Sequence, residues 1–203
     1  MVEKSMPAVV ESHPAQLPPG VRRRLTRTDC SALESAGLLE WDRFELIDGE
    51  LIPKVPKSRL HSIALLLLVE WLRGVFGTRN VEQEVSIELG PLLSSTNQPE
   101  PDVIVSRRSA LEFRVSDPGP SDLLLVAEVS ATTQDYDLGA KAAVYASGGI
   151  AEYWVVDLRT MRIVVHRNPV GNRYSSIIAY AADEAVSPLA APASLIRLQD
   201  LVQ

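Results

Sequence analysis

Asp102 and Glu128 sit at the ends of two short apolar runs, DVIVS and LLLVAEVS, and Lys141 follows in DYDLGAKAAVYASGG. Two acids and a lysine brought together at strand ends match the needs of phosphodiester hydrolysis. The acids can hold a divalent metal, and a positive group can meet developing negative charge. Mg²⁺ prefers oxygen donors and takes one or two carboxylates plus water and substrate. Asp102 and Glu128 meet that count, with Mn²⁺ as the alternative ion and the Val129 carbonyl as a further ligand. Lys141 would orient the attacking water or stabilise the transition state. Glu84 is a possible extra acid, and His61 is a candidate for the site wall. Spacing alone leaves a plainer alternative open: a Glu128–Lys141 ion pair in a fold without catalysis.

These residues must be placed by the elements around them. Asp102 to Ser106 reads as a strand entered from Pro99 and Pro101. Asp122 to Val129 is a near-continuous apolar run, as expected of a central strand covered on both faces. A carboxylate at the edge of such a run is costly to desolvate unless a cation meets it. Asp135 or Asp137 is expected to cap a helix through Ser147, with Leu138, Lys141, Ala142 and Tyr145 on one face. Gly148-Gly149 stops it, and Glu152 to Asp157 is the next strand.

Upstream, Thr28 or Asp29 is expected to cap a short helix ending near Leu39. Asp48-Gly49 predicts a tight turn in a β-hairpin built on Phe44, Leu46 and Leu51. Ser58 predicts the start of a helix over 59–76, apolar over a wide arc from Leu60 to Val75. Val81 to Leu89 alternates and predicts a half-buried strand, its glutamates on the solvated side. Met161 to His166 and Arg173 to Tyr180 are expected to add two more strands, and the final ASLIRLQDLV a short strand with a helical turn.

The 203 residues, 46% of them hydrophobic, are enough for one sizeable core. Residues 1–20 carry four prolines and no periodicity, and are expected to be a mobile arm before a single domain over 21–203. The net charge is −6 and the pI about 5.1, which is not the profile of a strong non-specific nucleic-acid binder. DNA contact would need a local basic patch. Arg107 and Arg108 are candidates for it, and Arg22, Arg23, Arg24 and Arg27 form the densest basic cluster. One cysteine, Cys30, excludes an internal disulfide and reads as a buried, inert thiol. No signal-peptide core or membrane-length apolar run is present, so the expected location is the cytoplasm.

FELIDGEL at 44–51, His61, PDVIV at 101–105, VAEVS at 126–130 and DLGAKAAVYASGGIAEYWVVD at 137–157 together resemble the putative restriction endonuclease family of the PD-(D/E)XK nuclease-like superfamily. The resemblance implies an α/β restriction-endonuclease-like core, a mixed central β-sheet flanked by helices. It implies Asp102 as the motif aspartate, Glu128 as the second metal-binding acid and Lys141 as a lysine displaced onto the following helix. Ser130 stands where the superfamily's usual E-x-K motif has its lysine. Tyr145, Tyr153 and Trp154 belong to the same motif and read as core packing. The functional expectation is a Mg²⁺-dependent endodeoxyribonuclease. In it, Asp102→Ala and Lys141→Ala would abolish cleavage without loss of fold. The alternative is a catalytically silent nuclease-like domain acting in nucleic-acid binding or assembly. A homodimer fits either reading.

Overall fold

A computed structural model describes residues 24–203. The arm expected over 1–20, with Arg22 and Arg23, lies outside the described residues. The architecture is the expected α/β one, a mixed sheet flanked by helices. A hairpin of β1 (Phe44–Ile47) and β2 (Glu50–Pro53) stands beside a six-stranded sheet. That sheet runs in the order β3 (Val81–Glu82), β4 (Val103–Ser106), β5 (Leu123–Ser130), β6 (Glu152–Asp157), β7 (Arg162–Val170) and β8 (Arg173–Ala181). Every neighbouring pair is antiparallel except β5 and β6. A parallel pair needs a crossover connection. Here the crossover is helical: α3 (Gln134–Tyr136), one π-turn over Asp137–Lys141, then α4 (Ala142–Ser147).

The alternation of β5 divides the core. Leu125, Ala127 and Val129 face one layer with the long helix α2 (Arg59–Phe76), while Val126 faces the other with the crossover helix. Ala64, Leu68 and Leu72 fall at helical spacing on α2 and are fully buried. Each such leucine stabilises the fold by about 1.5–3 kcal/mol. The buried stripe is narrower than the expected arc, since Leu60 stays exposed. Ser58 caps α2 by accepting from the His61 N–H at 3.2 Å, and Gly77 ends it at a φ of 92°.

Three expected boundaries change. The first helix, α1 (Arg27–Ser35), is capped by Thr26, with Asp29 closing a reciprocal capping box. The crossover is entered from Thr133, not from Asp135 or Asp137. The strand expected over 81–89 ends at Glu82. Beyond it, the Glu84 and Ile87 N–H groups donate to the carbonyls of Pro101 and Pro99. Those prolines can accept but have no N–H to return, so no ladder continues. Glu84 itself turns through a φ of 52°, a left-handed conformation uncommon outside glycine.

Asp157 closes the β6–β7 turn. Its carboxylate accepts from the Arg159 N–H at 2.9 Å, the Thr160 N–H at 3.1 Å and the Thr160 hydroxyl at 2.6 Å. Burial works against its charge, but these donors outweigh it and hold the carboxyl below its usual range. A carboxylate depressed in the folded state contributes stability above its unfolded value, and loses it as pH falls through the folded one. Wild type should therefore melt above Asp157→Asn at pH 7, with the gap closing below about pH 4. A gap that is unchanged or wider in acid would refute this role.

Candidate active site

The antiparallel register of β4 and β5 brings the two candidate acids together. Val103 pairs with Ala127, so Asp102 and Glu128 are the next neighbours outward. The Asp102 N–H donates to Glu128 Oε2 at 3.2 Å, and the Val129 N–H donates to Asp102 Oδ2 at 2.8 Å. Both acids lie on the wall of a cavity of about 360 Å³, bounded by the hairpin, the loop before α2 and the crossover helix.

The crossover supplies the buried ammonium. Lys141 Nζ lies 2.8 Å from Glu128 Oε1, and 3.2 Å and 2.9 Å from the two oxygens of Glu45 on β1. Asp137, one turn earlier, is also buried and accepts from the Thr133 hydroxyl at 2.5 Å. The π-turn that carries both residues is a local irregularity of a kind frequent at functional sites. Tyr145 donates its hydroxyl to Glu128 Oε1 at 3.1 Å, and Tyr153 donates to the Asp137 carbonyl at 3.0 Å. Tyr145, Tyr153 and Trp154 are core residues as expected, and the first two also brace the site.

Lys141 holds its proton. Burial works against its charge, but Glu128 and Glu45 outweigh that cost and raise it above the ordinary lysine value. One ammonium cannot neutralise three acids. Burial accordingly pushes the Glu128, Glu45 and Asp137 carboxyls upward, with Lys141 opposing the shift at each. Asp102 goes the other way. Burial would raise it, but the hydrogen bond from His61, the ammonium of Lys57 and the Val129 N–H together hold it far below the usual carboxylate range. His61 Nε2 lies 3.3 Å from Asp102 Oδ2, so α2 carries this candidate to the wall of the cavity.

Glu84 reaches the cavity margin, where it pairs with Lys57. Arg107 and Arg108 do not line the cavity. They follow Ser106 at the other end of β4, about 17 Å from Asp102 along an extended strand. Arg107 donates to the Ser121 carbonyl at 3.2 Å, and Arg108 pairs with Asp122 at 2.8 Å and lies over the Phe113 ring. Arg24 pairs with Asp48, and Arg27 with Glu88 at 3.1 Å. Among the described arginines expected to form a basic patch, Arg24, Arg27 and Arg108 are thus paired with acids. Cys30 is buried and free.

Three site residues escape a reading of spacing: Glu45, Asp137 and Lys57. A partial signal exists for Glu45, which alternates with Phe44 and Leu46 inside FELIDGEL. Lys57 lies in a short loop where a solvated lysine is the ordinary expectation.

Among the described residues, seven carboxylates and three lysines line the cavity. Such an excess of acid repels a phosphate, and a further cation would relieve that repulsion. The chemistry of the donor set fits Mg²⁺, because Asp102 and Glu128 offer oxygen only. Asp102 Oδ1 and Glu128 Oε2 each accept one hydrogen bond from the protein and keep a second lone pair.

Comparison with known proteins yields one family and a structural likeness. The model of the putative restriction endonuclease family Uma2 matches residues 32–198. A crystal structure described as a putative nuclease belonging to DUF820, from Anabaena variabilis ATCC 29413, is 18% identical. It aligns over 83% of this chain and 95% of its own with a TM-score of 0.61, a likeness of fold. No curated protein matches. No described helix is long and apolar enough to cross a membrane. With a family match over most of its length, the chain belongs to the putative restriction endonuclease family Uma2.

Proposed function

We propose that this chain is a Mg²⁺-dependent endodeoxyribonuclease, with Mn²⁺ able to replace Mg²⁺. The observation that carries the reading is the junction of Asp102 and Glu128 on the wall of an acidic cavity, with one ammonium against each. Asp102 and Glu128 would hold the ion, with the Val129 carbonyl as a third donor. The ion would polarise the phosphate and ease deprotonation of water. Lys141 acts as a positioning residue, since its protonated amine fixes Glu128 and cannot serve as a base. His61 orients Asp102 through Nε2–H, leaving Nδ1 buried without a partner among the described residues. Glu84 takes part at the margin through Lys57. Family membership supports DNA as the substrate class, and a two-fold pair of chains would suit cleavage of both strands.

Titration calorimetry with Mn²⁺ tests the ion site. Wild type should bind, and Asp102→Ala should lose that binding. Equal binding by both proteins would move the ion elsewhere.

One observation favours a second reading, a silent nuclease-like domain. Each oxygen of Asp102 and Glu128 already accepts from a protein donor, and among the described residues no preformed group of three metal-ligating side chains stands ready. Salt-sensitive DNA binding without turnover under any divalent ion would support it.

A further inference from the structure

The loop between β2 and α2 brings a second ammonium to the cavity. Lys57 Nζ lies 2.9 Å from Asp102 Oδ1 and also contacts Glu84 Oε1. Its surroundings differ from those of Lys141. The Lys57 side chain is 35% exposed, against 7% for Lys141. Lys141 is held between Glu45 and Glu128, and can turn toward a substrate only by leaving two buried carboxylates unpaired. Lys57 stands at the solvent side on a flexible stem, and its partner Glu84 is 58% exposed.

The two oxygens of Asp102 are also unequal. Oδ2 already takes the Val129 N–H and His61, while among the described residues Oδ1 is covered by Lys57 alone. An ion approaching Asp102 therefore contends with Lys57 for Oδ1. The backbone turn at Glu84, where β3 has ended, brings a second carboxylate to the same ammonium. Lys57 thus occupies a cation position between two acids, in a cavity that already holds more acids than lysines.

We propose that Lys57 is the resident counter-ion of Asp102 and the ammonium that turns to a phosphodiester oxygen when a divalent cation takes its place. The proposal rests on the nuclease reading and adds a residue to it. Two consequences follow from charge. Without DNA the ion binds weakly, because an ammonium must first leave a carboxylate. With DNA the displaced ammonium gains an anionic partner, so ion and DNA favour each other's binding.

Lys57→Met removes the charge and keeps the length of the stem. Lys57→Gln removes the charge and keeps a donor, and stands in should the first variant fail to fold. Calorimetry with Mn²⁺ in the absence of DNA is the first readout. Both variants should bind about tenfold more tightly than wild type, a usual size for coupling between competing events. The second readout is the anisotropy of a fluorescent duplex in rising Ca²⁺. Wild type should gain duplex affinity with Ca²⁺, and the variants should gain much less. Mn²⁺ affinity that is equal or weaker in a folded variant would overturn the counter-ion role. Tighter Mn²⁺ binding with unchanged Ca²⁺–duplex coupling would overturn the transfer to phosphate. Failure of wild type and both variants to bind any ion would remove the nuclease reading itself, and this proposal with it.

Discussion

Lys141→Met is expected to lower the stability of the fold by about 3–5 kcal/mol, the usual cost of removing one partner from a buried ion pair. Lys141 is the ammonium against Glu128 and Glu45, and all three side chains are nearly inaccessible to water. Without it, two carboxylates remain in a poorly solvated layer against the crossover helix, with Asp137 nearby. Neutralising the acids as well should restore much of the loss, because a buried ion pair replaced as a whole is often nearly neutral. The comparison is urea unfolding of wild type, Lys141→Met, and Lys141→Met combined with Glu45→Gln and Glu128→Gln. A single variant as stable as wild type would show that the ammonium is not the counter-charge of these acids. This changes what the sequence leads one to expect of Lys141→Ala. Loss of cleavage in that variant does not by itself identify a catalytic role, since the fold is expected to weaken as well.

Asp102→Asn is expected to lower the rate of DNA cleavage by about a thousandfold, several kcal/mol of ion-borne charge stabilisation. It should also melt below wild type at pH 7 while still folding, because a carboxylate depressed in the folded state contributes stability there. Asparagine keeps the shape of aspartate, and its carbonyl can still accept from the Val129 N–H that Oδ2 now receives. What it loses is the charge that the structure maintains against burial. Lys57, His61 and the Val129 N–H all hold Asp102 ionised, and an ion ligand has to be in that state. The measurement pairs cleavage rate with thermal unfolding. A variant that is folded at the assay temperature and cuts at the wild-type rate would remove Asp102 from the chemistry.

Much of the frame was legible in the sequence because local rules and tertiary demands agree there. Asp48-Gly49 gives two adjacent positive φ values, 51° and 76°, and the hairpin follows. Ser58 caps the long helix where the apolar periodicity begins. The Asp102–Glu128 junction was legible as two acids at strand ends, but their contact comes from the β4–β5 register, which spacing does not encode. Glu45 was missed because alternation in a hairpin assigns it to the solvated face. The crossover helix covers that face and brings Lys141 to it. The β3 segment misled for another reason. Its apolar alternation is real, but the segment beside it offers Pro99 and Pro101, which cannot return hydrogen bonds. Lys57 carried no periodic or motif signal. Only the folded loop reveals that it meets Asp102.

The measurement that tests the central claim most directly is conversion of supercoiled plasmid by the purified wild-type chain, in Mg²⁺, in Mn²⁺ and in excess chelator. The account predicts nicked and linear products with either ion and none with chelator. A folded protein that leaves the plasmid intact in both ions, or cuts equally well in chelator, would contradict it.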